Sequence, residues 1–169
     1  ILEEGGGVIP MSVSPTNPNL TDIYVVSNFN IPGSCADDSA EQVFLTGVVG
    51  CAGSVTYANR DSLCGTNYSP CTAQDWLEVR GDQVPTHNYW IEEELGYNGS
   101  GSDNCSVSYV STSGYTNCGA TVPMRICAAN PDPEGNTCNW LNCGWESTTP
   151  NEYFGGCSGN TTAGTLCCN

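Results

Sequence analysis

Lysine is absent from this chain, histidine occurs once, at His87, and three arginines face eighteen aspartates and glutamates. The formal net charge of −15 repels phosphate backbones and anionic lipid surfaces, which excludes nucleic acid and acidic membranes as partners. It is compatible with calcium, with neutral glycans and with plain solubility. No apolar run is long enough to cross a bilayer, so no membrane span is expected. A lone imidazole means that any Ser-His or Cys-His mechanism must use His87, and no Gly-x-Ser-x-Gly elbow occurs. Aliphatic residues are scarce too, with Leu, Ile, Val and Phe numbering 30 of 169. That is below the roughly one fifth at which disorder becomes an issue. With 12% charged residues and fifteen aromatics, a folded domain held by something besides an aliphatic core is expected.

Cysteine supplies that something. The twelve are Cys35, Cys51, Cys64, Cys71, Cys105, Cys118, Cys127, Cys138, Cys143, Cys157, Cys167 and Cys168. An even count in a small chain reads as a disulfide framework in an oxidising compartment. Metal ligation by thiolates is the rival reading, but no C-x2-C pair occurs, and one histidine leaves a zinc site short of nitrogen. Six disulfides are therefore expected, their pairing open among about ten thousand possibilities. Each crosslink typically contributes about 2–4 kcal/mol. A chain beginning at Ile1 without Met reads as the mature product of a secretory precursor, secreted or held at the cell surface. Five Asn-x-Ser/Thr sites, at Asn19, Asn67, Asn98, Asn104 and Asn160, matter only if the source glycosylates.

Residues 1–21 differ from the rest. They hold no cysteine, a Gly5-Gly6-Gly7 hinge and three prolines. Ile9, Met11 and Val13 alternate with Pro10, Ser12 and Ser14, the period-two pattern of a strand with one apolar face. Pro10 confines it to an edge or to one-sided pairing. Such a tethered strand completes either its own domain's sheet or a neighbour's, by strand addition. Residues 22–169 form the disulfide-stapled globular domain. Its expected strands cover Asp22–Phe29, Val43–Val49, Ser54–Tyr57 and Cys105–Ser111, with Val122–Cys127 at an edge because Pro123 interrupts it. The one good helix runs from Thr72 to Arg80: Thr72 and Asp75 make a capping box, and Gly81 stops it. Its buried side would be Trp76, Leu77 and Val79. From Asn130 onward the chain reads as turns. The fold class is α+β, strand-dominated, with one short helix and much irregular structure.

Several groups bear on chemistry. His87 beside Tyr89 and Trp90 reads as polar packing rather than catalysis. Glu92-Glu93-Glu94 reads as a solvated face, since consecutive acids cannot all face one site; a glycosidase carboxylate pair is the alternative. In Asn130-Pro131-Asp132-Pro133-Glu134-Gly135-Asn136, oxygen side chains at Asp132, Glu134 and Asn136 make a candidate calcium turn. An ordinary acidic turn is the other reading. Thr149-Pro150-Asn151-Glu152 is a second oxygen-bearing turn. Trp140, Trp145 and Tyr153, with Phe154, either stack on sugars or line an interface, or replace the missing aliphatic core.

Gly50-Cys51-Ala52-Gly53-Ser54-Val55-Thr56, Leu63-Cys64, Tyr68, Cys71-Thr72-Ala73 and Trp76 carry a resemblance. Pro85-Thr86-His87-Asn88-Tyr89-Trp90, Pro123-Met124-Arg125, Cys127, Gly135-Asn136 and Cys138-Asn139-Trp140 continue it. Tyr153-Phe154-Gly155-Gly156-Cys157 and Gly159 to Cys168 close it. The pattern resembles a cysteine-rich domain of secreted and surface proteins of myxobacteria and related bacteria, and implies bacterial secretion without an activity. A capped helix after a cysteine, then irregular loops and Trp140, has a fainter likeness to C-type-lectin-like domains. Their Glu-Pro-Asn triplet stands here as Thr149-Pro150-Asn151. The function expected is a structural subunit, not an enzyme, that self-associates into a filament or surface assembly, Ile9, Met11 and Val13 adding a strand to a neighbouring copy. A glycan-binding adhesion module, with calcium as its candidate cofactor, is the alternative.

Overall fold

The computed structural model describes residues 32–44, 47–99, 104–119, 122–139, 142–146, 151–157 and 159–169. The chain divides into two units, residues 1–30 and 31–169. The expected boundary at 21/22 and the expected strand Asp22–Phe29 lie outside the described residues. All described elements belong to the second unit. They are, in order, β1 (Gln42–Val43), β2 (Val48–Val55), a 3-10 helix (Tyr57–Leu63), β3 (Ser69–Pro70) and α1 (Ala73–Val79). Then come β4 (Tyr89–Trp90), β5 (Leu95–Gly99), β6 (Cys105–Tyr109), β7 (Thr116–Asn117), β8 (Arg125–Ile126), β9 (Gly144–Trp145), β10 (Phe154–Gly155) and β11 (Ala163–Cys168). Strands dominate, as the alternating segments predict.

Seven strands form one sheet in the order β1-β2-β11-β4-β8-β10, with β3 also paired to β11; β7-β5-β6-β9 form a second. Backbone bonding between Cys143 and Phe154 ties the two. The last strand of the chain is therefore central: β11 is antiparallel to β2 and β3 and parallel to β4. The turn-rich reading of the tail missed it, because Ala163-Gly164-Thr165 is small and polar and the strand's partners lie far off in sequence. Alternation explains what the adjacent cysteines do. Successive side chains on a strand point to opposite faces, so Leu166 and Cys168 join the core of Trp76, Tyr89, Ile126 and Phe154. Cys167 joins a second cluster with Val49 and Cys51. Cys167 bonds Cys64, and Cys168 bonds Cys71.

The other pairs are Cys35–Cys51, Cys105–Cys143, Cys118–Cys157 and Cys127–Cys138, so all twelve cysteines are oxidised. Aromatics fill what aliphatics do not: Trp76, Trp90, Tyr89 and Phe154 are fully buried. Each buries about 150–250 Å², contributing at most about 4–6 kcal/mol at ~25 cal/mol per Å².

α1 sits where expected. The Thr72 hydroxyl accepts from Asp75 N–H, and the Asp75 carboxylate accepts from Thr72 N–H at 2.8 Å. Ala73 and Trp76 are its fully buried residues, with Leu77 and Val79 packed at the margin. Three strand expectations are corrected. Val43–Val49 is not one strand but a reversal between β1 and β2, closed by Phe44 N–H on Val48 C=O, with Gly47 at φ +86°. Strand β2 then runs unbroken to Val55, and the 3-10 helix takes Tyr57. Gly50 in β2 is obligatory, since a Cβ there would lie 2.4 Å from the Tyr89 ring. The segment Val122–Cys127 is not an edge: Pro123 stops short of β8, which is paired on both sides, to β4 and β10.

In the chain-entropy picture, a crosslink stabilises more when it closes a longer loop. Cys64–Cys167 spans 103 residues and Cys35–Cys51 spans 16. Removing the first pair by double alanine substitution is expected to cost about 1.5 kcal/mol more than removing the second, as read from urea unfolding midpoints and slopes.

Candidate functional site

The arm residues Ile9, Met11 and Val13 and the hinge Gly5, Gly6 and Gly7 lie outside the described residues, as do Trp140, Thr149 and Pro150. The remaining candidates gather around the turn that follows β8. There Asp132 is buried, and its carboxylate is saturated by protein donors. Oδ1 accepts from Asn136 N–H at 2.8 Å, and Oδ2 accepts from Asn88 N–H at 3.0 Å. The Asn136 amide nitrogen donates to both oxygens and to Gly53 C=O. Asn136 Oδ1 accepts from Ser54 and Thr162 hydroxyls. Asn88, fully buried, completes the knot by donating to Asn136 C=O and accepting from Ala128 N–H. The oxygens that a hard cation would need face inward on donors. Among the described residues no three His, Cys, Asp or Glu side chains are grouped to hold a metal ion. Asp132 and Asn136 thus pin this turn to β2 and to the entrance of β4.

Glu134, the third member, points elsewhere. Its carboxylate lies 3.2 Å from His87 Nε2. His87 Nδ1 is 2.9 Å from the Thr86 hydroxyl and 3.3 Å from the Tyr89 hydroxyl. Hydroxyl, imidazole and carboxylate in a row follow the order of a nucleophile–base–acid relay. The Thr86 hydroxyl, however, also bonds Gln42 Oε1 at 3.1 Å, which accepts from Thr86 N–H as well. The row links the entrance of β4 to β1 through Gln42 and to the turn through Glu134. Burial pushes the Tyr89 phenol well above its ordinary value, keeping it a neutral hydrogen-bonding group.

Glu92 and Glu93 meet different surroundings. Glu92 is exposed, while Glu93 turns back to accept from Ala73 N–H at 2.8 Å, at the start of α1. Desolvation raises the Glu93 carboxyl above the ordinary range, and its like-charged neighbours Glu92 and Asp75 add to this. Sequence reading gave Arg125 no structural role. It is fully buried, stacks 4.7 Å from the Trp90 ring centroid and donates through Nη2 to Thr137 and Asn160 C=O. Desolvation pushes its pKa down to about 10, opposed by Asp132. An arginine after Pro-Met gives no periodic signal from which such burial can be read.

The aromatics separate. Tyr153 is half-buried, edge-on to Trp76, and carries the Arg80 guanidinium 5.4 Å from its ring centroid. Arg80 Nε also binds Glu152 at 2.5 Å, so the turn before β10 is anchored to α1. Trp145 lies between the buried Phe154 and Tyr109, at 5.8 and 5.3 Å. Tyr109, at 39% exposure, is the accessible end of this row.

No family model, curated protein or solved structure matches the chain. Among the described residues, Asn88, Asp132, Asn136 and Glu152 are engaged in bonds that join separate segments of the stapled body.

Two outcomes follow. Asp132→Ala strands two buried N–H groups and is expected to destabilise the fold by about 2–5 kcal/mol, by the same amount with and without calcium in urea unfolding. A calcium-dependent gain in the unsubstituted chain that the variant lacks would contradict the closed knot. For Glu93 the folded carboxyl holds its proton more tightly than the unfolded one, so ionising it costs stability. The unsubstituted chain should therefore lose stability relative to Glu93→Gln as pH rises through the carboxylate range, and the gap should stay constant above it. Paired thermal melts from about pH 3, below the ordinary carboxylate value, to about pH 8, well above it, would check this.

Proposed function

We propose that the chain is an extracellular structural subunit that associates with copies of itself, residues 1–21 adding a strand to a neighbouring body. One observation carries the reading: all six disulfides close between Cys35 and Cys168. The alternating segment Ile9, Met11 and Val13 sits on a glycine tether, outside every crosslink. A body closed by its own staples has no covalent claim on that segment, and an apolar strand on a tether gains most by joining a sheet. Receptive edges exist: among the described residues β1 pairs only with β2, and β7 only with β5. Dense crosslinking suits a surface or fibre exposed to proteases, and the resemblance to secreted bacterial cysteine-rich domains fits the same setting.

A glycan-binding adhesion module is the second reading. It has the exposed Tyr109 beside Trp145 in its favour, a surface on which a sugar ring could stack. Retention on a glycan array that Tyr109→Ala abolishes would favour it.

For the leading reading, negative-stain electron microscopy of the full chain beside one beginning at Asp22 is the test. Ordered polymers from the first and monomers from the second are expected. Equal assembly of both removes the arm from the account.

A further inference from the structure

We propose that association between copies is gated by the ionic strength of the medium, because each copy carries a formal net charge of −15. The inference rests on the self-assembly reading above and deepens it. Every cationic side chain is already committed within its own body. Arg60 is half-buried, lies 4.1 Å from the Tyr57 ring centroid and donates to Tyr57 and Glu92 C=O. Arg80 is taken by Glu152, and Arg125 is fully buried. His87 is 8% exposed and faces Glu134. Against these, Asp37, Asp38, Glu41, Asp61, Glu78 and Asp82 are exposed. Residues 1–21 contribute Glu3 and Glu4 and no arginine or lysine, so the arm carries the sign of the body it would join.

Two such bodies have no side-chain cation to exchange. Their attraction must come from strand pairing and apolar burial, against a repulsion that reaches about 30 Å at 0.01 M salt and about 8 Å at 0.15 M. Most interfaces held by ion pairs weaken as salt rises. This one strengthens.

The test uses the full chain, followed by sedimentation velocity and electron microscopy at about 0.01 M and about 0.15 M sodium chloride. Association is expected to rise roughly tenfold or more over that interval, with calcium chloride at matched ionic strength giving the same rise. Glu78→Lys combined with Asp82→Lys is expected to shift the rise to lower salt. Assembly that is equal at both salts, or weaker at the higher, overturns the gate and leaves the assembly reading standing. Assembly driven by calcium alone overturns it in favour of a specific bridging ion. An unchanged salt profile in the doubly substituted chain counts against it likewise. Monomers under every condition remove the self-assembly reading and the gate with it.

Discussion

The insertion of the C-terminal strand into the middle of the large sheet is the constraint on which the rest of the body depends. β11 lies between β2 and β4, so the β1-β2 and β4-β8-β10 parts of the sheet are not joined until the last residues of the chain arrive. Because adjacent side chains face opposite ways, Cys167 and Cys168 lock the strand from both faces at once, to Cys64 and Cys71. These two bonds close loops of 103 and 97 residues. In a chain with so few aliphatic residues, contacts this non-local are entropically demanding. Holding the strand covalently restricts the unfolded ensemble where the packing alone is thinnest.

Around this strand the polar groups work as fasteners. Asn88, Asp132 and Asn136 join the turn after β8 to β2 and β4, and Glu152 joins the turn before β10 to α1. Saturating a buried carboxylate with N–H donors makes it a rigid junction, because each lost partner would leave a desolvated group unpaired. The same saturation separates a structural acidic turn from a calcium site: the spacing of oxygens is similar, and the direction in which they face is opposite. His87 is likewise a clamp between Thr86 and Glu134.

What local chemistry dictates was readable in advance. The Thr72–Asp75 capping box and Gly81 delimit α1, alternation marks β6, and the even cysteine count foretells full oxidation. What partners dictate was not. β11 is a strand because β2 and β4 flank it, while its own Ala163-Gly164-Thr165 carries little β preference. The reversal between Phe44 and Val48 breaks an apolar run that reads as continuous until Gly47 adopts a positive φ. The bond that Asp132 accepts from Asn88 was not legible, because the donor lies 44 residues away. Arg125 gave no signal, because its burial depends on stacking against Trp90 in a different strand. The arm, by contrast, is legible only as sequence: its alternation and its glycines stand outside the described body.

The functional account turns on whether the body bounded by Cys35 and Cys168 is complete without the segment that precedes it. If it is, the segment is available to a neighbour, and a crosslinked acidic unit becomes an assembling one. If the segment instead docks at home, it is one more strand of a monomer. The most direct measurement is the thermal unfolding of a chain beginning at Asp22, compared with the full chain at a dilution where both are monomeric. The account predicts coincident transitions. A transition lowered by several degrees in the shorter chain, on the order of 1 kcal/mol or more of lost stability, would contradict it and place the arm within its own fold.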